Sequence, residues 1–88
     1  MDKIQELFKR YVANTYTRQP IVPVIGRGML VEDTTGKRYL DFVGGIAVCA
    51  LGHCHPEVVR AVSEQARRLM HVSNLYYIRQ QGKLAELL

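Results

Sequence analysis

Gly28-Met29-Leu30-Val31-Glu32-Asp33-Thr34-Thr35-Gly36-Lys37-Arg38-Tyr39-Leu40-Asp41-Phe42 reads as two short strands around a tight turn. Asp33 opens the turn and Gly36 supplies the position that needs positive φ, so a hairpin within 28–42 has a local physical cause. Two strands alone bury too little area to be independently stable, and this hairpin therefore requires neighbours. The residues that follow, Phe42 to Val48, are apolar without alternation and carry the pair Gly44-Gly45. Their backbone can adopt positive φ or let another group approach closely. A tight packing turn and the wall of a ligand site would both use such a stretch.

Upstream of the hairpin, Ile4, Leu7, Phe8, Tyr11 and Val12 recur at i, i+3, i+4, i+7 and i+8, which predicts an amphipathic helix over Asp2–Asn14. Pro20 and Pro23 forbid helix across Gln19–Val24 and predict an extended arm. Ile21, Val22, Val24 and Ile25 are too apolar for a solvated linker, so the arm should lie against another surface. Downstream, Val58, Val59, Ala61, Val62, Ala66, Leu69 and Met70 predict a helix over 56–70. Pro56 stands at or near its first position, Glu57 in its first turn, and Arg67, Arg68 and His71 in its last. Leu84, Ala85, Leu87 and Leu88 begin a further helix with no capping glycine after it, the pattern expected of a chain that stops inside an element.

Eighty-eight residues allow one small domain and exclude two. With 48% apolar and 23% charged residues the chain resembles a globular protein, not a disordered or collagenous one. Its longest uncharged apolar run, Phe42–Leu51, is far short of the roughly 20 residues of a spanning helix, so no membrane partner is expected. Asp2, Lys3 and Glu6 fit neither a secretory signal nor an acid-poor transit peptide, and a cytoplasmic location is expected. The net charge of +4 comes from Lys and Arg scattered among Asp and Glu. With no block of like charge, no nucleic-acid partner is expected. Two cysteines are too few for a disulfide scaffold and read as reduced thiols.

Cys49, His53, Cys54 and His55 cluster within seven residues. Structural zinc sites separate two ligand pairs by a loop, whereas adjacent Cys54 and His55 would point apart, so no metal site is expected. The preferred reading is a turn before the helix whose His and Cys side chains bond the helix's free backbone donors. A Cys-His nucleophile lacks an orienting third group. Gly26-Arg27-Gly28 lacks the later Gly-Lys-Ser/Thr of a phosphate loop and precedes a strand. Tyr16 and Arg18 are two apart in an extended segment and face the same side. A phenol and a guanidinium together suit a carboxylate, the alternative being two solvated surface residues. Tyr76 and Tyr77 read as packing or interface aromatics.

Taken in order, Asn14-Thr15-Tyr16-Thr17-Arg18, Gly28-Met29-Leu30-Val31-Glu32-Asp33, Gly36-Lys37-Arg38-Tyr39-Leu40-Asp41-Phe42, Gly45-Ile46-Ala47-Val48, Leu51-Gly52-His53-Cys54-His55-Pro56 and His71-Val72-Ser73-Asn74-Leu75-Tyr76 resemble the N-terminal part of the class III, pyridoxal-phosphate-dependent aminotransferases. The resemblance covers essentially the whole chain. The Gly-His-x-His-Pro turn is shared across the class, including members acting on ornithine, succinylornithine and 4-aminobutyrate. The Asn-Thr-Tyr-x-Arg start and the His-Val-Ser-Asn stretch favour the branch acting on acetylornithine.

The resemblance implies an α/β enzyme of fold type I. Such an enzyme is a homodimer with a large domain of mixed, mainly parallel sheet between helices and a smaller domain built from both chain ends. It places residues 1–55 in the arm and small domain, with 28–42 in that domain's sheet, and lets 56–88 lead into the large domain, no domain being complete. It implies transfer of the δ-amino group of N-acetylornithine to 2-oxoglutarate, a step of arginine biosynthesis, with pyridoxal 5'-phosphate as cofactor and amino acid and 2-oxo acid substrates. Succinyldiaminopimelate is a second donor on this view. Another class III activity is the near alternative, and a stand-alone interaction module the distant one. Tyr16 and Arg18 correspond to residues at the substrate's distal end, and Gly44, Gly45 and Ile46 to a loop lining the substrate channel. The related ornithine enzyme carries tyrosine at the place of Ile46, and an apolar residue there suits an acylated side chain better than a free ammonium. Asn74 and Tyr76 correspond to positions reaching the dimer interface. No catalytic or cofactor-binding residue is carried over: the phosphate-cradling loop, the α-carboxylate arginine, the aspartate at the pyridine nitrogen and the Schiff-base lysine of the class all lie outside these 88 residues. Lys83, in a helical pattern without an accompanying motif, is no substitute, and the segment alone is expected to be inactive.

Overall fold

Asp2 begins the first helix because its carboxylate can cap it. Its Oδ1 accepts the Ile4 amide at 2.7 Å while the Gln5 side chain accepts the Asp2 amide at 3.2 Å, a capping box. The computed structural model describes residues 2–88. Helix α1 spans Lys3–Tyr11, with Lys9 and Arg10 in the last turn, where they oppose the negative end of the helix dipole. It ends before the predicted Asn14, since Val12 is already extended at φ −106° and ψ 128°.

Three antiparallel strands follow in the order β1 (Pro23–Arg27), β2 (Leu30–Asp33) and β3 (Arg38–Leu40). The β2–β3 hairpin is the one expected from the turn residues, with Leu30 opposite Leu40, Val31 opposite Tyr39 and Glu32 opposite Arg38. Part of the apolar arm is itself a strand. β1 pairs with β2 through Ile25–Glu32, Gly26–Val31 and Arg27–Leu30, and the register shifts between Pro23 and Ile25, where proline has no amide to give the ladder.

The β2–β3 turn is built on Asp33, the one buried residue among those described, at 6% exposure. Oδ1 accepts from the Thr35 hydroxyl at 2.6 Å, the Thr35 amide at 2.8 Å and the Lys37 amide at 3.1 Å, and Oδ2 accepts from the Tyr39 hydroxyl at 2.8 Å. These donors, the Thr35 hydroxyl foremost, hold the Asp33 carboxyl at about 2, against the desolvation that would raise it. The Tyr39 phenol is correspondingly pushed up by its bond to the Asp33 carboxylate. Thr34 ties in the preceding segments: its amide donates to the Val22 carbonyl at 3.0 Å and its hydroxyl to Asp2 Oδ2 at 2.7 Å. The cap of α1 is thus fastened to the hairpin turn.

After β3 comes α2 (Gly44–Ala47), a single turn in which Gly44, Gly45, Ile46 and Ala47 all have positive φ. One compact unit ends at Pro56 and a second runs from Glu57 to Leu88. The second contains α3 (Pro56–Ala66), apart from its first residue, and α4 (Arg79–Leu87). The predicted helix over 56–70 stops at Ala66 because the Gln65 carbonyl accepts the amides of both Arg68 and Leu69 at 3.0 Å, and the Gln65 side-chain amide bonds the Leu69 carbonyl at 2.9 Å. Gln80, in the first turn of α4, reaches the Gln65 side chain at 2.9 Å. α4 starts five residues before the apolar pattern at Leu84.

Among the described residues no hydrophobic side chain is fully buried. The stripe Ile4, Leu7 and Phe8 on α1 stays exposed, as do Val58, Val59 and Val62 on α3. Local capping and strand pairing shape these elements, and their apolar faces await cover.

Candidate functional site

Asp41 leaves β3 and turns the chain. Its Oδ1 accepts the amides of Val43 at 3.0 Å and Gly44 at 2.9 Å, and its Oδ2 lies 2.5 Å from His53 Nε2. The Gly44 amide, then His53, then the Val43 amide hold the Asp41 carboxyl below its usual range. His53 is seated by the sheet. Its amide donates to the Gly28 carbonyl at 2.8 Å and its carbonyl accepts the Gly28 amide at 3.0 Å. Gly26 leaves room for its ring, since a Cβ there would come within 2.8 Å of His53 Cβ and Cγ. A Cβ on Gly52, at φ +86°, would come within 3.0 Å of Gly28 Cα.

This clasp carries three of the residues expected in the substrate channel. Gly44, Gly45 and Ile46 share the turn α2, and the Ile46 side chain projects from it at 86% exposure. The other two expected residues are also brought together. The Arg18 guanidinium carbon lies 5.7 Å from the centre of the Tyr16 ring, and 4.9 Å from that of Phe8 on α1. Among the described residues no hydrogen bond, ion pair or ring contact joins Tyr16 and Arg18 to the Gly44–Ile46 turn. Asn74 and Tyr76 line an open concavity with Ile78, Arg79 and Gly82 in the second unit.

Within the Cys-His cluster, Cys49 and His53 line one concavity with Asp41. His53 turns to Asp41, and the two backbone bonds to Gly28 aim it at the sheet. Cys49 is half-buried, its Sγ 3.7 Å from where a Gly45 Cβ would stand, and Cys54 is exposed. No group of three metal-ligating side chains forms among the described residues. Sequence reasoning missed Asp41, Gly26 and Phe8. A carboxylate two and three residues before free amides, at Val43 and Gly44, was the signal that could have found Asp41.

The family model for Aminotransferase class-III matches residues 11–88. The chain belongs to the class III aminotransferases, and its fold is that of a segment of these fold type I enzymes. The acetylornithine aminotransferase of Synechocystis sp. is 61% identical over 79 residues, which is 90% of this chain and 18% of the relative. The crystal structure of acetylornithine aminotransferase from Elizabethkingia anophelis superposes at a TM-score of 0.89 with 35% identity, covering 97% of this chain and 22% of that one. The taurine:2-oxoglutarate aminotransferase of Bifidobacterium kashiwanohense, in complex with PLP and glutamate, superposes at 0.86 with 27% identity, covering 97% and 20%. The chain spans about a fifth of the length of the relatives it matches.

The family's cofactor, pyridoxal phosphate, is bonded through a lysine. A lysine that bonds pyridoxal phosphate must be desolvated or set beside another cation to be nucleophilic near neutral pH. Lys3, Lys9, Lys37 and Lys83 are all exposed, and the Lys37 ammonium sits over the Tyr39 ring at 5.1 Å.

Proposed function

We propose that this chain is the N-terminal segment of an enzyme that transfers the δ-amino group of N-acetylornithine to 2-oxoglutarate, yielding N-acetylglutamate semialdehyde and glutamate, with pyridoxal phosphate held by residues outside the segment. The observation that carries the reading is the 61% identity to an acetylornithine aminotransferase over nine-tenths of the chain. The geometry adds to it. Arg18, beside Tyr16, offers a fork to the distal carboxylate of glutamate or the acyl end of the donor, and exposed Ile46 offers an apolar contact to an acylated side chain.

In this reading residues 1–55 belong to the arm and small domain and 56–88 lead into the large domain. Asn74 and Tyr76 face a second subunit of a homodimer. The many uncovered apolar side chains are consistent with burial against the rest of such an enzyme. No described helix is long and apolar enough to cross a membrane. A cytoplasmic step of arginine biosynthesis follows from the substrates proposed.

The test is donor choice in the full-length enzyme. With 2-oxoglutarate as acceptor, kcat/KM for N-acetylornithine should exceed that for ornithine and for 4-aminobutyrate. A preference for either unacylated donor would replace this reading by another class III activity.

A further inference from the structure

The turn Gly44–Ala47 is strained. Ile46 stands at φ 58° and ψ 63°, and Ala47 at φ 65°. Left-handed backbone brings the Cβ of an L-residue against the following carbonyl, and a β-branched residue there is an outlier. Such a conformation persists only where its surroundings over-determine it.

Side-chain packing within this segment does not do so. Apart from its chain neighbours and the backbone of the turn itself, no heavy atom lies within 4 Å of where a Gly44 Cβ would be, and Ile46 and Val48 are 86% and 80% exposed. Polar bonds at the two ends of the turn do. Asp41 Oδ1 takes up the Val43 and Gly44 amides at the entrance, and the Cys49 amide returns to the Gly44 carbonyl at 2.8 Å at the exit. The Gly52 amide then bonds the Cys49 carbonyl at 2.9 Å, which leads the chain to His53. The Asp41–His53 bond closes the circuit across twelve residues, and His53 is itself fixed to Gly28 by two backbone bonds and fits against Gly26. Both ends of the turn are thereby referred to the sheet.

We propose that Asp41 and His53 are positioning residues for donor selection: they clamp Gly44–Ala47 in its left-handed turn and so fix where Ile46 is displayed. This rests on the reading of Ile46 as a substrate-channel residue. Asp41 and His53 touch no substrate in this account and act only through the turn.

The test uses the full-length enzyme with Asp41→Ala, Asp41→Asn, His53→Ala, His53→Gln and, as a separate probe of the site, Ile46→Tyr. Two quantities are read: the ratio of kcat/KM for N-acetylornithine over ornithine, and amide hydrogen exchange across residues 43–49 of the folded enzyme. Asp41→Ala should speed exchange in this segment and lower the ratio about tenfold, mainly through KM for the acylated donor. Asn retains an acceptor for the Val43 and Gly44 amides, so Asp41→Asn should restore most of the ratio, and His53→Gln should do better than His53→Ala. A destabilised but correctly placed turn would leave the ratio alone, so the KM-weighted loss and its conservative rescue separate positioning from mere stability. If Asp41→Ala and His53→Ala leave exchange and ratio unchanged while Ile46→Tyr moves the ratio, the clamp is overturned and the reading of Ile46 stands. If Ile46→Tyr leaves the ratio unchanged, the reading of Ile46 is overturned and the clamp's part in donor selection falls with it, whatever exchange shows.

Discussion

The Arg18 guanidinium lies over the Phe8 ring at 4.9 Å, so a helix residue ten positions upstream aims a residue of the arm. At partly exposed sites such a contact contributes about 0.5–1 kcal/mol. Phe8→Leu in the full-length enzyme should raise KM for N-acetylornithine and glutamate about twofold to fivefold with kcat unchanged, and Phe8→Tyr should not. Steady-state kinetics of both half-reactions would check this, and equal KM values in all three proteins would contradict it.

Removing Arg18 itself should do more. Loss of a charge-assisted bond to the substrate costs roughly 1.5–3 kcal/mol, which lowers kcat/KM about tenfold to a hundredfold for Arg18→Ala. Tyr16→Phe should lose less, since only one hydroxyl goes. The cofactor's absorption spectrum should stay that of the parent enzyme in both variants. Kinetics matching the parent for both substrates would return the pair to surface residues, and a lost cofactor spectrum would show a different role.

Three glycines should rank by geometry. Gly36, at φ +83° with open space around it, should cost about 1–2 kcal/mol on substitution by Ala, the left-handed penalty alone. Gly52 combines φ +86° with the 3.0 Å approach to Gly28 Cα, and Gly52→Ala should cost about 2–4 kcal/mol. Gly26→Ala would collide with the His53 ring and disturb its bond to Asp41 without any backbone strain. Denaturant unfolding of the full-length variants would measure the order, and Gly36→Ala as the worst of the three would refute it.

Asp33 sets an acid limit. Its folded pKa of about 2 lies below the ordinary carboxylate value of 3.8, so the unfolded chain binds the proton more readily. The stabilisation is complete above about pH 4 and fades as pH falls towards 2. Asp33→Asn should therefore be less stable than the parent at neutral pH, with the difference narrowing through this window. Carboxyl chemical shifts of Asp33 against pH would give the midpoint directly, and a midpoint near 4 would be contrary to the hydrogen-bond account.

The 88-residue chain alone should self-associate or unfold with little cooperativity, because Phe42, Val48, Leu75 and Tyr77 lie open to water and no apolar side chain described is buried. It should retain no pyridoxal phosphate after dialysis. Sedimentation velocity across a concentration series, with absorbance after borohydride treatment, would test both, and a concentration-independent, cooperatively folding monomer would oppose the first.

What the sequence disclosed was local. The β2–β3 hairpin was legible because Asp33 and Gly36 carry their turn chemistry in themselves, and the meeting of Tyr16 with Arg18 followed from a two-residue spacing. The pairing of β1 was not legible: its partner lies across a turn, and Pro23 argued against a ladder. The end of α3 was hidden because Leu69 and Met70 continue the apolar period past the point where Gln65 closes the helix. Positive φ at Gly44 and Gly45 is one of the two uses the glycine pair left open, whereas its continuation through Ile46 and Ala47 runs against the preference of L-residues. Nothing within a local window joins Asp41 to His53.

The left-handed turn also bears on how such a chain can diversify. At Ile46 the backbone carries the strain and the side chain, projecting from the turn, has almost no neighbours in this segment. Any L-residue placed there meets the same backbone, and unbranched ones meet less resistance than isoleucine. A single codon change can thus alter the side chain the turn displays while leaving the Asp41–His53 bond and the sheet behind it as they were. On the reading proposed for Ile46, a scaffold of this design explores new donors one residue at a time without being refolded for each.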